Sequence, residues 1–182
     1  TSMEEIVTDD KEIYGQLKQY LHENQPEDEN RLRLYEDAML PLAKLYQIDK
    51  AMEEALSTHV WLKSGGYLVI EPTEAMTVID VNTGKYTGKK NKRDTILKIN
   101  LEAAAEISHQ MRLRNLSGII LVDFIDMEEK EDQELLMKTL AVQCARDPVK
   151  TTVVDMTRLN LVEITRKKIR KPLHEQVRLF GK

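Results

Sequence analysis

The sequence predicts an α/β fold, and three observations carry that prediction. Short apolar strand segments alternate with longer helical ones from about residue 64 onward. Two of those strands, Met76–Val81 and Gly118–Phe124, deliver carboxylates at their ends. The 182 residues are 41% apolar and 32% charged, enough core for one compact domain, or a domain with an appendage.

No apolar run approaches the roughly 20 residues of a membrane span, and no signal peptide is visible. The single cysteine, Cys144, excludes an internal disulfide and any cysteine-built zinc site within one chain. A reducing, cytoplasmic setting is the simplest expectation. The net charge of −4 is uneven: −8 over residues 1–60 (14 acids, 6 bases) and +4 over residues 61–182 (17 acids, 21 bases). The second part is the better candidate for a polyanionic partner, although solvated charged faces explain the same numbers.

Residues 1–60 are expected to form a strand-and-helix scaffold. Ile6-Val7 is a short strand, and Asp9 or Asp10 caps a helix to about Glu23 with Ile13, Leu17, Tyr20 and Leu21 on its apolar face. A polar loop with Pro26 follows. Arg31–Tyr35 alternates like a strand, Pro41 interrupts, and Asp49 caps a helix. Residues 61–182 are expected to be the second domain. Lys63-Ser64-Gly65-Gly66 is a turn, and Tyr67–Glu71 and Met76–Val81 form a hairpin around Pro72-Thr73-Glu74. A basic loop over 84–94 leads into a helix from about Asp94 to Asn115, whose apolar stripe is broken by Asn100. Gly118–Phe124 is apolar on both faces, which predicts a central strand covered on both sides. A helix from Glu128 to Cys144, strands at 151–156 and 161–164, and a frayed end complete the chain.

Asp80 and Asn82 share one strand face, and Asp123 ends the second acidic strand. If the two strands are neighbours, their acids repel unless a cation lies between them. One or two carboxylates with water and a phosphate suit Mg²⁺, with Mn²⁺ as a substitute; zinc would want His or Cys. Such an ion promotes phosphodiester hydrolysis. The alternative is that each acid caps a loop or pairs with a lysine. Asp126 either orders the ion's waters or caps the next helix.

Lys85, Lys89, Lys90, Lys92 and Arg93 can follow a phosphate backbone, with Tyr86 available to stack on a base, or serve solubility alone. Gly84–Lys90 is not a Walker loop, because its glycine spacing is one short and Lys90 stands where Ser or Thr is required. Arg112 and Arg114 end the long helix, where dipole compensation is the competing explanation. Lys150, Arg158, Arg166, Lys167, Lys168, Arg170 and Lys171 form a second basic group. The four histidines have no ligand spacing.

Five blocks resemble the RNase E/G family of bacterial endoribonucleases: Met76–Gly84, Asn100–Ala104, Gln110–Arg114, Val122–Met127 and Met156–Arg166. The resemblance implies a DNase-I-like catalytic subdomain at 61–182 and part of an RNase-H-like subdomain at 1–60. It implies Asp80 and Asp123 as Mg²⁺ ligands, Asn82 as their assistant, and Lys150 as a basic residue near substrate. Single-stranded RNA would be cut to 5′-phosphate and 3′-hydroxyl ends, in rRNA processing and mRNA decay. The family's OB-fold RNA-binding domain, 5′-end sensor and shared zinc link have no counterpart in these residues. A catalytic-core fragment is therefore expected, from a protein that is a homodimer or higher oligomer at full length. The rivals are a non-catalytic RNA-binding or scaffold module of the same fold, and a phosphodiesterase acting on DNA.

Overall fold

The structure, a computed structural model, describes residues 4–84 and 92–180. It divides into two compact units, Thr1–Glu53 and Glu54–Lys182. The first is small. Strand β1 (Ile6–Thr8) pairs in parallel with β2 (Leu32–Leu34). Between them, α1 (Lys11–Asn24) starts at Asp10, whose carboxylate accepts the N–H groups of Glu12 and Ile13. Only Leu21 of the expected apolar face is buried; Ile13 and Tyr20 are about half exposed. Leu42–Leu45 (α2) and Ile48–Leu56 (α3) follow, so Asp49 lies inside the first turn of α3 rather than capping it.

The second unit is one six-stranded sheet with helices on a single face. Its strands are β3 (His59–Trp61), β4 (Tyr67–Pro72), β5 (Met76–Asn82), β6 (Gly118–Asp123), β7 (Thr151–Met156) and β8 (Leu161–Arg166), in the order β3-β4-β5-β6-β8-β7. All neighbours are antiparallel except β5 and β6, which run parallel because helix α4 (Lys92–Leu113) crosses between them. A boundary at 60/61 would cut through β3, the edge strand that pairs with β4. Three residues are too short to show a period, and the turn at 63–66 was their only sign.

Helices α4 and α5 (Lys130–Cys144) pack on the face carrying Leu68, Ile70, Ile79, Val81, Ile120, Val122, Val162 and Ile164, all buried. The other face is open. Strand β6 is central in the sheet, but it is covered on one side only, and Ile119 is 48% exposed on the open side. Asn100 does not break the stripe of α4. It is fully buried, its Nδ2 donating to the Ile125 carbonyl at 2.8 Å and its Oδ1 accepting the Ile125 N–H at 3.1 Å. Asn115 ends the helix region in the left-handed conformation, with the Leu116 N–H returning to the Met111 carbonyl. The chain does not fray after Pro172; helix α6 spans Leu173–Phe180.

Candidate active site

Strands β5 and β6 are in register with Asp80 opposite Asp123, at the ends of two neighbouring parallel strands. Both side chains lie on the open face and are exposed, so their mutual repulsion rather than deep burial is what a cation would relieve. Asn82, two residues on and on the same face, donates its Nδ2 to Asp80 Oδ2 at 2.7 Å. Partial burial, then the charges of Asp80 and Asp126, raise the pKa of Asp123 above the ordinary carboxylate range. A carboxyl pushed toward protonation by its neighbours marks a place where positive charge is missing. Among the described residues, no three His, Cys, Asp or Glu side chains converge as a complete metal cage. Two carboxylates and an amide are the sparse set that a Mg²⁺ ion retaining several waters accepts.

Asp126 sits beyond the strand end and accepts Nδ2 of Asn160 at 3.3 Å, from the β7–β8 turn. It lines a cleft of about 470 Å³ together with Lys92, Arg93, Ile96 and Met127. The clasp of Asn100 on Ile125 fixes the backbone between Asp123 and Asp126. On the other side of Asp80, Glu102 accepts the N–H groups of Lys63 at 2.6 Å and Ser64 at 3.0 Å. Burial opposes the Glu102 carboxylate, but those hydrogen bonds outweigh it and hold its pKa below the ordinary range. Gly66 packs so closely against β5 that a Cβ there would stand 2.7 Å from the Asn82 carbonyl oxygen.

The expected phosphate-contacting residues separate into three groups. Lys85, Lys89 and Lys90, with Tyr86, lie outside the described residues. Lys92, Arg93 and Arg158 are exposed at the acid end of the sheet, Arg158 in the turn that carries Asn160. Arg93 is engaged there by Asp132, through Nε at 2.8 Å and Nη2 at 3.0 Å.

Arg112, Arg114, Lys150 and Arg166 lie at the opposite end, where Arg166 pairs with Gly118 and Thr151. Gly118 is five residues along β6 from Asp123, roughly 16 Å at about 3.3 Å per residue. Arg166 is buried against Asp147, Asn115 and Leu116, and it is corrected here from an RNA contact to a structural residue. Arg114 is 7% exposed, bonded to Gln110 and the Ser57 carbonyl, and equally unable to meet a surface ligand. Cys144 is core, its thiol pushed up by burial to about 11.

Residues 1–169 match the model of the Ribonuclease E/G family. This chain belongs to that family. It is 43% identical over 173 residues to ribonuclease G of Haemophilus influenzae, covering 95% of this chain and 35% of that protein. It is 40% identical over 171 residues to ribonuclease G of Escherichia coli K12, with 94% and 35% covered. It is 45% identical over 141 residues to ribonuclease E of a Nostoc species, with 78% and 20% covered. The chain thus spans about a third of the ribonuclease G relatives. In this ribonuclease E/G chain, the residues sequence reasoning passed over are Asn100 and Glu102, which touch no proposed substrate and act through the loops they hold. The family block Asn100–Ala104 contains both, and was the available signal.

Proposed function

We propose that this chain carries the catalytic centre of a Mg²⁺-dependent endoribonuclease acting on single-stranded RNA. The observation that carries the reading is the register of Asp80 against Asp123 on an open sheet face, with Asn82 bonded to Asp80, in a member of the ribonuclease E/G family. In this reading the second unit is the DNase-I-like catalytic subdomain, and the first is part of an RNase-H-like subdomain. The full-length protein is cytoplasmic and assembles as a homodimer or higher oligomer. It acts in rRNA processing and mRNA decay.

Asp80 and Asp123 hold the ion, Mg²⁺ or Mn²⁺. When bound, it polarises a phosphoryl oxygen and acidifies a water. Asn82 orients the scissile phosphate beside Asp80, and Asp126 orders water at the strand exit. A water oxygen joins phosphorus and the bond to the 3′ oxygen breaks, which leaves 5′-phosphate and 3′-hydroxyl ends. Lys92 and Arg158, with Lys85, Lys89 and Lys90, carry the RNA backbone over this end of the sheet. Arg112 and Lys150, at the far end, would meet only a strand long enough to cross the face.

The test is cleavage of 5′-labelled single-stranded RNA with Mg²⁺ or with EDTA, comparing the chain with Asp80→Asn and Asp123→Asn. Cleavage should require the ion and both acids, give 5′-phosphate ends, and leave the circular dichroism of the variants unchanged. Full activity in both variants would remove the mechanism. RNA binding without cleavage, even in the full-length protein, would favour a binding module.

A further inference from the structure

An aromatic cluster lies on the open face immediately beside the acids, and nothing described so far uses it. Trp61 of β3 is directly opposite Tyr67 of β4, and Tyr67 is directly opposite Asn82 of β5. Cross-strand partners project from the same face. His59 lies in the adjoining row, opposite Val69, which is itself opposite Asp80. The rings touch: Trp61 and Tyr67 have centroids 5.2 Å apart and tilted, and His59 stacks on Tyr67 at 5.8 Å. A tryptophan that is 72% exposed on a sheet face is an uncommon use of the most apolar large side chain.

The cluster is held rigidly to the acids. Trp61 and Tyr67 flank the tight turn in which the Leu62 N–H bonds the Gly66 carbonyl. Glu102 grips that turn from below through Lys63 and Ser64, and Gly66 packs on the backbone of Asn82. Two strand spacings of about 4.8 Å put Trp61 roughly 10 Å from Asn82, across Tyr67. That is the reach of a nucleotide next to the scissile one. Lys63, exposed in the turn between the two rings, adds positive charge at the same spot. Exposed aromatics beside a base are the recognition chemistry of single-stranded nucleic acid, where π-faces accept any base without reading its edge.

We propose that His59, Tyr67 and Trp61 form a stacking platform for a base of single-stranded RNA, flanking the phosphate that lies at Asp80 and Asp123. Its position along the substrate rests on the nuclease reading above; its capacity to stack a base does not. The platform gives the site a preference for unpaired RNA, because a base within a duplex has no free face to offer. It also sets which side of the cut a base occupies, since the rings lie only on the β4 side of Asp80.

Trp61 is the sole tryptophan of the chain, so its emission reports the platform directly. The experiment titrates the 182-residue chain in EDTA, where nothing is cut, with a short uridine oligomer and with an abasic oligomer of equal length and charge. The uridine oligomer should quench Trp61 to saturation and the abasic one should not. Read by anisotropy of labelled RNA, Tyr67→Ala and Trp61→Ala should each weaken uridine binding about five- to a hundred-fold. Abasic binding should stay unchanged, and Trp61→Phe should recover most of the loss. Unchanged melting curves would exclude misfolding.

Equal quenching by both oligomers, no binding at all, or unaltered affinity in both alanine variants would overturn the platform. So would a shift in Trp61 emission that tracks protein concentration without RNA, which would make the patch a contact with a second copy. A chain that quenches with uridine but never cleaves would refute the nuclease reading and leave the platform standing.

Discussion

Replacing Arg166 with Met separates a structural arginine from a nucleic-acid contact. Its guanidinium donates to Asp147 Oδ2 at 2.7 Å, Asp147 Oδ1 at 3.3 Å, Asn115 Oδ1 at 3.0 Å and the Leu116 carbonyl at 2.9 Å. The two charged side chains are 3% and 1% exposed. Removing one partner leaves a buried carboxylate without its cation, which costs about 3–5 kcal/mol, against about 0–1 kcal/mol for a surface pair. For a chain of this size that is a fall in Tm on the order of 6–20 °C.

Urea denaturation followed by circular dichroism measures it. Adding Asp147→Leu should restore much of the loss, because an apolar replacement of the whole pair strands no charge. The pH dependence has a definite sign. Burial pushes Asp147 up, but Arg166, Val149 and Thr151 outweigh it and hold its folded pKa below the ordinary range. A depressed folded pKa gives stability that is present above the unfolded value, about 4, and lost as pH falls through the folded value. The variant lacks that stability, so its deficit should be widest at neutral pH and shrink in acid. A deficit under about 1 kcal/mol, accompanied by weaker and less salt-dependent RNA binding, would refute the structural assignment.

Asn100→Ala should strand the N–H and carbonyl of Ile125 in the interior, at about 1–3 kcal/mol for each group left unpaired. Cleavage per folded molecule should fall through kcat with KM little changed, because the loop carrying Asp126 loses its anchor; an undiminished kcat would make the clasp purely structural. Lys92→Ala with Arg158→Ala should lower RNA affinity and flatten the slope of log affinity on log salt by about two, one for each lost phosphate contact. An unchanged slope would remove both from the RNA path.

The acids were legible because polarity at the end of an apolar strand is a local signal, and Asp80, Asn82 and Asp123 each carry it. What the sequence left open was cross-strand placement. Apolar residues on both faces of Gly118–Phe124 read as two-sided cover, yet Ile119 and Leu121 face the open side, and composition does not reveal which layer is absent. Asn100 reads as a flaw in a helical stripe, since its partner, the backbone of Ile125, is 25 residues away. The basic C-terminal group reads as a surface, because counting charges cannot see Asp147 waiting under Arg166. The platform went unread because His59–Trp61 is too short for periodicity, and its rings meet Tyr67 only through the register of a hairpin. Helix α6 had a start signal in Pro172, one residue before Leu173.

One turn of α4 governs both flanks of Asp80. Asn100 and Glu102 are two residues apart, about 200° around the helix at 3.6 residues per turn, so they reach in different directions. Asn100 takes the strand exit that leads to Asp126; Glu102 takes the turn between Trp61 and Tyr67. The helix itself is fixed from beneath by Ile99, Ala103 and Ile107, all essentially inaccessible in the core. A displacement of this turn would therefore move the proposed stacking platform and the Asp126 loop together, while Asp80 stays with the sheet. That couples the position of a base to the position of the water-ordering carboxylate through the packed core, although neither group touches the other.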